Sequence, residues 1–252
     1  MKSGQVVLSK RLQMLADMVT AGNAVADVGC DHGFLSVYLV QKKISPHVLA
    51  MDVRKGPLEA AAEHIGIYGL GEYIDIRLSD GLRELKEGEA DAAVCAGMGG
   101  RLMEKILTES MEKARGMKEL ILQPQSEIRE FRAFLRREGF RIVEENVVYE
   151  EGKYYFAMRV VYSEGGTCGG AAGDSVGNTG DVWQDIFDGY GELLLQRKHP
   201  VLKQYLLSRR EVVTQILEKL KAADGKRTEE RLMEIRQELS EIETALGQFR
   251  EW

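Results

Sequence analysis

The stretch Val25-Ala26-Asp27-Val28-Gly29-Cys30-Asp31-His32-Gly33-Phe34-Leu35 constrains this chain more than any other. An apolar run ends in an acid-glycine turn and passes at once into apolar positions at helical spacing, Phe34, Leu35, Val37, Tyr38 and Leu39. Strand, tight turn and helix N-terminus in that order form the corner where an α/β sheet holds a nucleotide-like ligand. Charge then narrows the ligand. A pyrophosphate at such a turn wants glycine amides and no carboxylate, because backbone N–H groups and the helix dipole favour anions. Asp27 and Asp31 put two acids there. A cationic ligand with an amino group and a sulfonium suits the turn better than a dinucleotide or nucleoside triphosphate.

The segments that follow repeat the theme. His47–Asp52 reads as a second strand ending in an acid, about 20 residues past the glycine turn, the spacing expected of a ribose-binding acid. Tyr73–Leu78 alternates as a third strand and stops at Ser79-Asp80-Gly81, with a short helix beyond. Ala90–Ala96 is a buried fourth strand running into Gly97-Met98-Gly99-Gly100, and Glu119–Pro124 is a fifth, stopped by proline. Helical spacing covers 6–20, 57–66, 101–114 and the segment ending at Glu138. Two β-rich runs, Phe140–Tyr149 and Lys153–Tyr162, flank the turn Glu150-Glu151-Gly152 and predict an antiparallel hairpin. Alternating strands and helices closed by a hairpin predict an α/β, Rossmann-like, seven-stranded sheet with helices on both faces, the architecture of class I methyltransferases.

This domain occupies 1–162. Residues 163–182 hold seven glycines (Gly165, Gly166, Gly169, Gly170, Gly173, Gly177 and Gly180) among Ser, Thr, Asn and Asp, and read as a flexible linker. From 183 to 252 the period is helical. Leu232, Ile235, Leu239, Ile242, Leu246 and Phe249 recur at steps of three and four, and Leu202, Leu206, Val213, Ile216 and Leu220 give a matching stripe broken by Arg209. Ala223-Asp224-Gly225 separates the two stripes, and Thr228 stands where it would cap the second helix. An antiparallel helical hairpin, a coiled coil, is expected.

Composition excludes several classes. The formal net charge is −6, so any nucleic-acid contact must be local. Cys30, Cys95 and Cys168 are odd in number and lack CxxC spacing, which argues against a disulfide framework or a metal site and fits a reducing, cytoplasmic setting. No apolar run is long enough to span a bilayer, so no membrane partner is expected. No Ser–His–Asp or Cys–His–acid set suggests covalent hydrolysis.

The chemistry should sit where the strand ends converge. Asp52 would accept from ribose hydroxyls, Asp80 from an adenine amino group, and Asp27 would hold the amino end of the ligand. Each acid alone reads more readily as a loop cap; four such endings in order reverse that and point to one site. His32 stays open between base, ligand and cap. Enzymes that methylate exocyclic nitrogens often carry Asn/Asp-Pro-Pro-Tyr/Phe after the fourth strand, and this chain has Ala96-Gly97-Met98-Gly99-Gly100 instead. A ring nitrogen with a free lone pair needs proximity and alignment more than such a grip.

At these residues the chain resembles the bacterial TrmK-type tRNA (adenine-22-N1)-methyltransferases. The resemblance rests on Leu8-Ser9-Lys10-Arg11-Leu12, on Ala26 to Gly33, on Ser79-Asp80-Gly81-Leu82, on Ala96 to Gly100 and on Leu120-Ile121-Leu122-Gln123-Pro124. It continues through Gly139-Phe140 and Glu151-Gly152-Lys153-Tyr154-Tyr155, and the family shares a C-terminal helical hairpin. The glycine-laden 163–182 stretch is the departure. The resemblance implies methyl transfer from S-adenosyl-L-methionine to N1 of an adenine in the D-arm region of tRNA. It implies a cofactor set of Asp27, Gly29, Asp31, His32, Asp52, Val53, Asp80, Gly81, Ala96, Gly97 and Met98. Asp31, with His32, is the candidate to stabilise positive charge on the methylated ring, and the base must leave its pairing before it reacts. For tRNA, the acid-free run from Leu193 to Arg210 offers Arg197, Lys198, Lys203, Arg209 and Arg210, with His199 among them, and Lys10-Arg11 a second patch. Arg129, Arg132, Arg136 and Arg137 read as a solvated helix face. The alternatives are methylation of another RNA or heteroaromatic, a cofactor-binding module recruiting partners through the coiled coil, and an NAD oxidoreductase. The seam can be satisfied within one chain, so a monomer is expected.

Overall fold

The computed structural model describes residues 4–163, 179–221 and 226–250. The chain divides into two compact units, Met1–Ala172 and Gly173–Trp252.

The first unit is built on seven strands: β1 (Val25–Val28), β2 (Val48–Asp52), β3 (Ile74–Leu78), β4 (Ala92–Met98), β5 (Glu119–Pro124), β6 (Phe140–Glu150) and β7 (Lys153–Tyr162). Their order is β3-β2-β1-β4-β5-β7-β6. The first five run parallel, and β7 enters antiparallel between β5 and β6. Every residue of β1, β2 and β5 is buried. That is the signature of strands covered on both faces, and it is why they read as continuous apolar runs. Alternate residues feed two cores. Val25, Val48, Ala50, Val94 and Ile121 pack with α1 (Lys10–Met18), α2 (Phe34–Gln41) and α3 (Lys55–Tyr68) on one side. Ala26, Leu49, Met51, Cys95 and Leu122 pack with α4 (Gly100–Glu109), α5 (Met111–Gly116) and α6 (Ile128–Arg137) on the other. β1 and β4 are adjacent although β2 and β3 intervene in sequence. The order reverses there, and the carboxyl ends at such a switch point form a crevice.

Three local expectations are corrected. The first helix runs only from Lys10 to Met18, capped at Ser9, whose Oγ accepts the Leu12 N–H at 3.3 Å. The 101–114 helix is two, because Ser110 leaves helical geometry at φ −133° and separates α4 from α5. After Gly81 the chain makes turns and no helix. Ser79 Oγ donates to the Gly81 carbonyl at 2.8 Å and accepts the Glu84 N–H at 3.2 Å, holding the segment in a turn.

In the second unit, α7 (Thr179–Tyr190) takes up the last positions of the glycine-rich stretch; 164–178 lie outside the described residues, as does Cys168. α8 (Glu192–Gln196), α9 (Pro200–Lys221) and α10 (Lys226–Gly247) follow. α9 and α10 pack on each other, and Arg209 Nε donates to Glu238 Oε1 across them at 2.6 Å. The two residues stand equally far from the connection, as antiparallel helices require. The buried stripe is Leu202, Leu206, Val213 and Leu217 against Ile235, Ile242, Ala245 and Phe249. Leu232, Leu239, Leu246, Ile216 and Leu220 are only half-buried, so the other expected positions form the buried centre of the seam and these its flanks. α10 starts at Lys226, ahead of Thr228. No helix among the described residues is long and apolar enough to cross a membrane.

Candidate active site

A cavity of about 560 Å³ opens at the carboxyl ends of the parallel strands, within the range of small-ligand sites. Asp27, Val28, Gly29, Cys30, Asp31 and His32 line it after β1, Asp52 and Val53 after β2, Ser79, Asp80 and Gly81 after β3, and Ala96, Gly97 and Met98 at the end of β4. The predicted cofactor residues therefore share one cavity. Its other walls come from Arg11 and Leu12 of α1, Phe34, Leu35, Arg54, Leu102, Ile106 and Gln125.

The floor is the β1–α2 turn. The N–H groups of Gly29 and Cys30 both donate to the Met51 carbonyl, at 2.8 and 3.0 Å, hanging the turn on β2. Gly29 has φ +77°, and a Cβ there would collide with the Met98 methyl; glycine is the residue that allows both. Gly33, at φ +70°, would bring a Cβ within 3.0 Å of Ala61 Cβ, so it also sets how closely α2 meets α3. Asp31 adopts φ +50° without being glycine. Aspartate tolerates this region better than most residues, and such backbone is concentrated at ligand sites.

The acids differ in setting. Asp27 is buried, and its Oδ2 accepts the Ser36 hydroxyl at 2.6 Å. Burial pushes its pKa up to about 6 against the pull of Ser36, and the Asp52 charge adds to the rise. A ligand ammonium would give this carboxylate the cation its burial calls for. Asp52, also buried, accepts the Arg54 N–H at 2.9 Å. Asp80 meets Arg83 at 3.4 Å at the rim. Asp31 is two-thirds exposed and lies 3.7 Å from His32 Nε2. The His32 carbonyl meets His64 Nδ1 at 2.9 Å, and the Phe34 and His64 rings stack at 4.5 Å. His32 is thus seated in a ring cluster at the cavity edge. Burial drives the Cys30 thiol up and the Cys95 thiol up to about 12; neither is a nucleophile near neutral pH. Among the described residues no group of His, Cys, Asp and Glu could hold a metal ion.

The β4 end changes character. Gly97 sits in a register shift between Ala96 and Met98 at φ +77°, an extra residue of the kind that re-aims a strand end beside a site. Gly99 and Gly100 are explained by packing: a Cβ on them would meet Ser126 Oγ at 2.9 Å and the Ser126 carbonyl at 2.7 Å. The place of an amine-gripping motif is taken by a close backbone crossing.

Two of the residues expected to contact tRNA have neighbours that the sequence did not show. Arg11 does not stand on an outer patch with the exposed Lys10; it lines the cavity, its Nη1 3.3 Å from where a Gly97 Cβ would be. Arg209 is engaged with Glu238, an acid the sequence places 29 residues away, so the acid-free run is not acid-free in space. Arg197, Lys198, Lys203 and Arg210 are exposed. His199 is held below the ordinary imidazole range by burial and by Arg197, so the positive field there belongs to the arginines and lysines. Sequence reasoning passed over Ser36 and Gln125, which carry no motif of their own.

A reversed-order parallel sheet with an antiparallel closing hairpin and an acid-lined crevice over a glycine turn defines a class I methyltransferase domain. Residues 8–158 match a family model described as a methyltransferase domain. The chain is similar to the tRNA (adenine(22)-N(1))-methyltransferase of Bacillus subtilis, with 37% identity over 60% of this chain and 63% of that enzyme's length. The crystal structure of the B. subtilis m1A22 tRNA methyltransferase TrmK superposes with a TM-score of 0.79 at 27% identity, covering 95% of this chain and 99% of that one. Sp1610 of Streptococcus pneumoniae superposes at 0.81 with 30% identity, covering 95% and 100%, and its complex with S-adenosyl-L-methionine at 0.78. The chain belongs to the TrmK-type tRNA methyltransferase family.

Proposed function

We propose that this protein transfers a methyl group from S-adenosyl-L-methionine to N1 of the adenine at position 22 of tRNA. The observation that carries the proposal is the chain of acids at successive strand ends, Asp27, Asp31, Asp52 and Asp80, around one cavity with a glycine floor. The donor set fits the cofactor: a buried carboxylate for the ammonium, a second for the ribose hydroxyls, and a rim acid for the adenine amino group, with Val53, Gly81 and Ala96 as walls. When bound, the cofactor supplies an electrophilic methyl on a cationic sulfur. The residues' task is then positioning. Gly29 and Gly97 keep the floor and the β4 end clear of side chains, and Met98 closes over Gly29. Asp31, exposed until a base covers it, stabilises the positive charge that builds on the adenine ring as N1 takes the methyl. His32, close to Asp31, fixes that carboxylate's orientation.

Residues 1–162 would carry the chemistry, and the helical part from α7 onward would contact tRNA through Arg197, Lys198, Lys203 and Arg210, with Lys10 adding a contact on the first unit. The reading includes a cytoplasmic monomer, checked by sedimentation. Labelled S-adenosyl-L-methionine and unmodified tRNA test the reaction: label should appear on N1 of one adenine, and label on any other atom overturns the assignment. Charge reversal of Arg197, Lys203 and Arg210 together should weaken tRNA binding by about 10-fold or more and lower the slope of log Kd against log salt by about 2, leaving cofactor affinity intact. Unaltered tRNA affinity in that variant contradicts the assigned surface. Arg209 is left out of the variant because reversing it would break the hairpin pair.

A further inference from the structure

The acids of the cavity come from one side of the sheet. Asp27, Asp52 and Asp80 belong to the ends of β1, β2 and β3, and the strand order puts those three together on one side of β4. On the other side of β4 lies β5, and the residue after it, Gln125, also lines the cavity. A cofactor held by the acids leaves the β4–β5 side for the methyl acceptor. The Gln125 backbone N–H donates to the Met98 carbonyl at 2.8 Å, which ties this position to the end of β4. Its side chain is exposed, and among the described residues its amide makes no hydrogen bond. Gln123, two residues earlier, behaves oppositely. It is fully buried, with Oε1 3.5 Å from Arg11 Nη1 and Nε2 donating to the Pro124 carbonyl at 3.3 Å. Gln125 Nε2 instead lies 3.7 Å from where a Gly97 Cβ would be. Glycine at 97 therefore leaves space in front of the amide, and Met98 and Leu102 line the same cavity with apolar surface.

Methylation at N1 restricts how an adenine can be recognised. The N1 lone pair lies in the ring plane and must point at the methyl, so the pairing edge faces the cofactor. What remains includes N7 and the N7-side hydrogen of the N6 amino group, an acceptor and a donor side by side. A primary amide matches them with two bonds, its oxygen accepting from N6 and its nitrogen donating to N7. Guanine offers acceptors at both places, so the amide oxygen would be repelled there. We propose that Gln125 reads the target adenine along its N6–N7 edge, leaving N1 free to attack the methyl. This rests on the proposed function and deepens it. A tRNA ribose or phosphate and the cofactor are the competing partners for the amide, and the test separates them.

The probes are full-length tRNA with adenine or with 7-deazaadenine at position 22. The analogue replaces N7 by C–H and keeps N1 and the amino group. It also makes N1 more basic, so the quantity to read is the adenine-over-analogue ratio of kcat/KM, compared between proteins so that intrinsic reactivity cancels. In Gln125→Ala this ratio should fall by about 3- to 10-fold relative to wild type, the range of one neutral hydrogen bond. In Gln125→Glu it should fall further, because a carboxylate oxygen would face the N7 lone pair of adenine but a C–H in the analogue. Affinity for S-adenosyl-L-methionine, by titration calorimetry on the full chain, should equal wild type in both variants and so reports folding. A ratio unchanged in either variant overturns the proposal; if both substrates slow equally, the amide holds a ribose or phosphate. Loss of cofactor affinity in both variants also overturns it, marking a contact to the cofactor. Wild type that leaves N1 of adenine 22 unmethylated would instead sink the proposed function itself.

Discussion

Asp27→Asn should give a protein that binds S-adenosyl-L-methionine about 10- to 100-fold more weakly and yet melts at a higher temperature without ligand. Both effects have one cause. Burial lifts the Asp27 pKa from 3.8 to about 6, so the folded state holds this proton more tightly than the unfolded chain. The sign follows by linkage. Below pH 3.8 the group is protonated in both states and contributes nothing. Between 3.8 and about 6 the unfolded chain gives up its proton first, and stability falls as pH rises. Above about 6 the full cost of the buried charge is present, roughly 3 kcal/mol for a shift of this size. Asparagine keeps an oxygen for the Ser36 hydroxyl and carries no charge. Above pH 6 the ligand-free variant should therefore gain about 1–3 kcal/mol, several degrees of melting temperature in a chain this long, and the gain should vanish near pH 4. The wild type should bind cofactor up to tenfold more weakly per pH unit below 6, because a ligand ammonium needs the ionised carboxylate. Melting curves of both proteins from pH 4 to 8, with calorimetry over the same range, check the two halves. A variant that melts lower at pH 7.5, or that binds like wild type, would show that Asp27 serves packing and not the ligand.

The sequence made the acids visible because parallel strands buried on both faces leave little choice of register. An apolar run such as Val48–Met51 must end where the sheet ends, and the residue after it, Asp52, must stand at the rim. Asp80 follows β3, whose mostly exposed residues alternate instead, and is read from the Ser-Asp-Gly stop after it. Spacing along the chain does not tell where a long side chain goes once its helix has docked. Arg11 read as half of a basic patch with Lys10, and its direction was fixed by Glu150, 139 residues away. Arg209 looked free in an acid-free run until α10 returned and brought Glu238 to it. The closeness of Met98 to Gly29, which joins two strand ends, and the left-handed backbone at Asp31 are likewise products of assembly. Gly99 and Gly100 show the opposite error: they carried a chemical reading, and part of their reason is the Ser126 backbone crossing beside them.

Arg132→Met should lower the stability of the first unit by about 3–5 kcal/mol, the usual result of removing one partner from a buried ion pair. Arg132 on α6 lies inside the protein with its side chain 2% exposed, and its Nε donates to Glu145 Oε1 on β6 at 2.9 Å, where the carboxylate is 1% exposed. Its guanidinium carbon is 5.8 Å from the centre of the Phe156 ring on β7. The pair therefore ties a helix of one core to the antiparallel edge of the sheet, and it removes Arg132 from any basic surface with its neighbours Arg129, Arg136 and Arg137. Methionine fills much of the volume, so the loss comes from a buried carboxylate deprived of its cation. Replacing both residues, Arg132→Met with Glu145→Leu, removes that charge as well and should recover most of the loss, since well-packed apolar residues often match a buried ion pair. Denaturant unfolding of wild type, both single variants and the double variant closes the cycle, and a coupling of about 2 kcal/mol or more is expected. No residue lining the cavity comes from α6 or β6, so cofactor affinity at a temperature where Arg132→Met is folded should equal that of wild type. Additive single effects, or a single loss below about 1 kcal/mol, would mean that the pair only fills space.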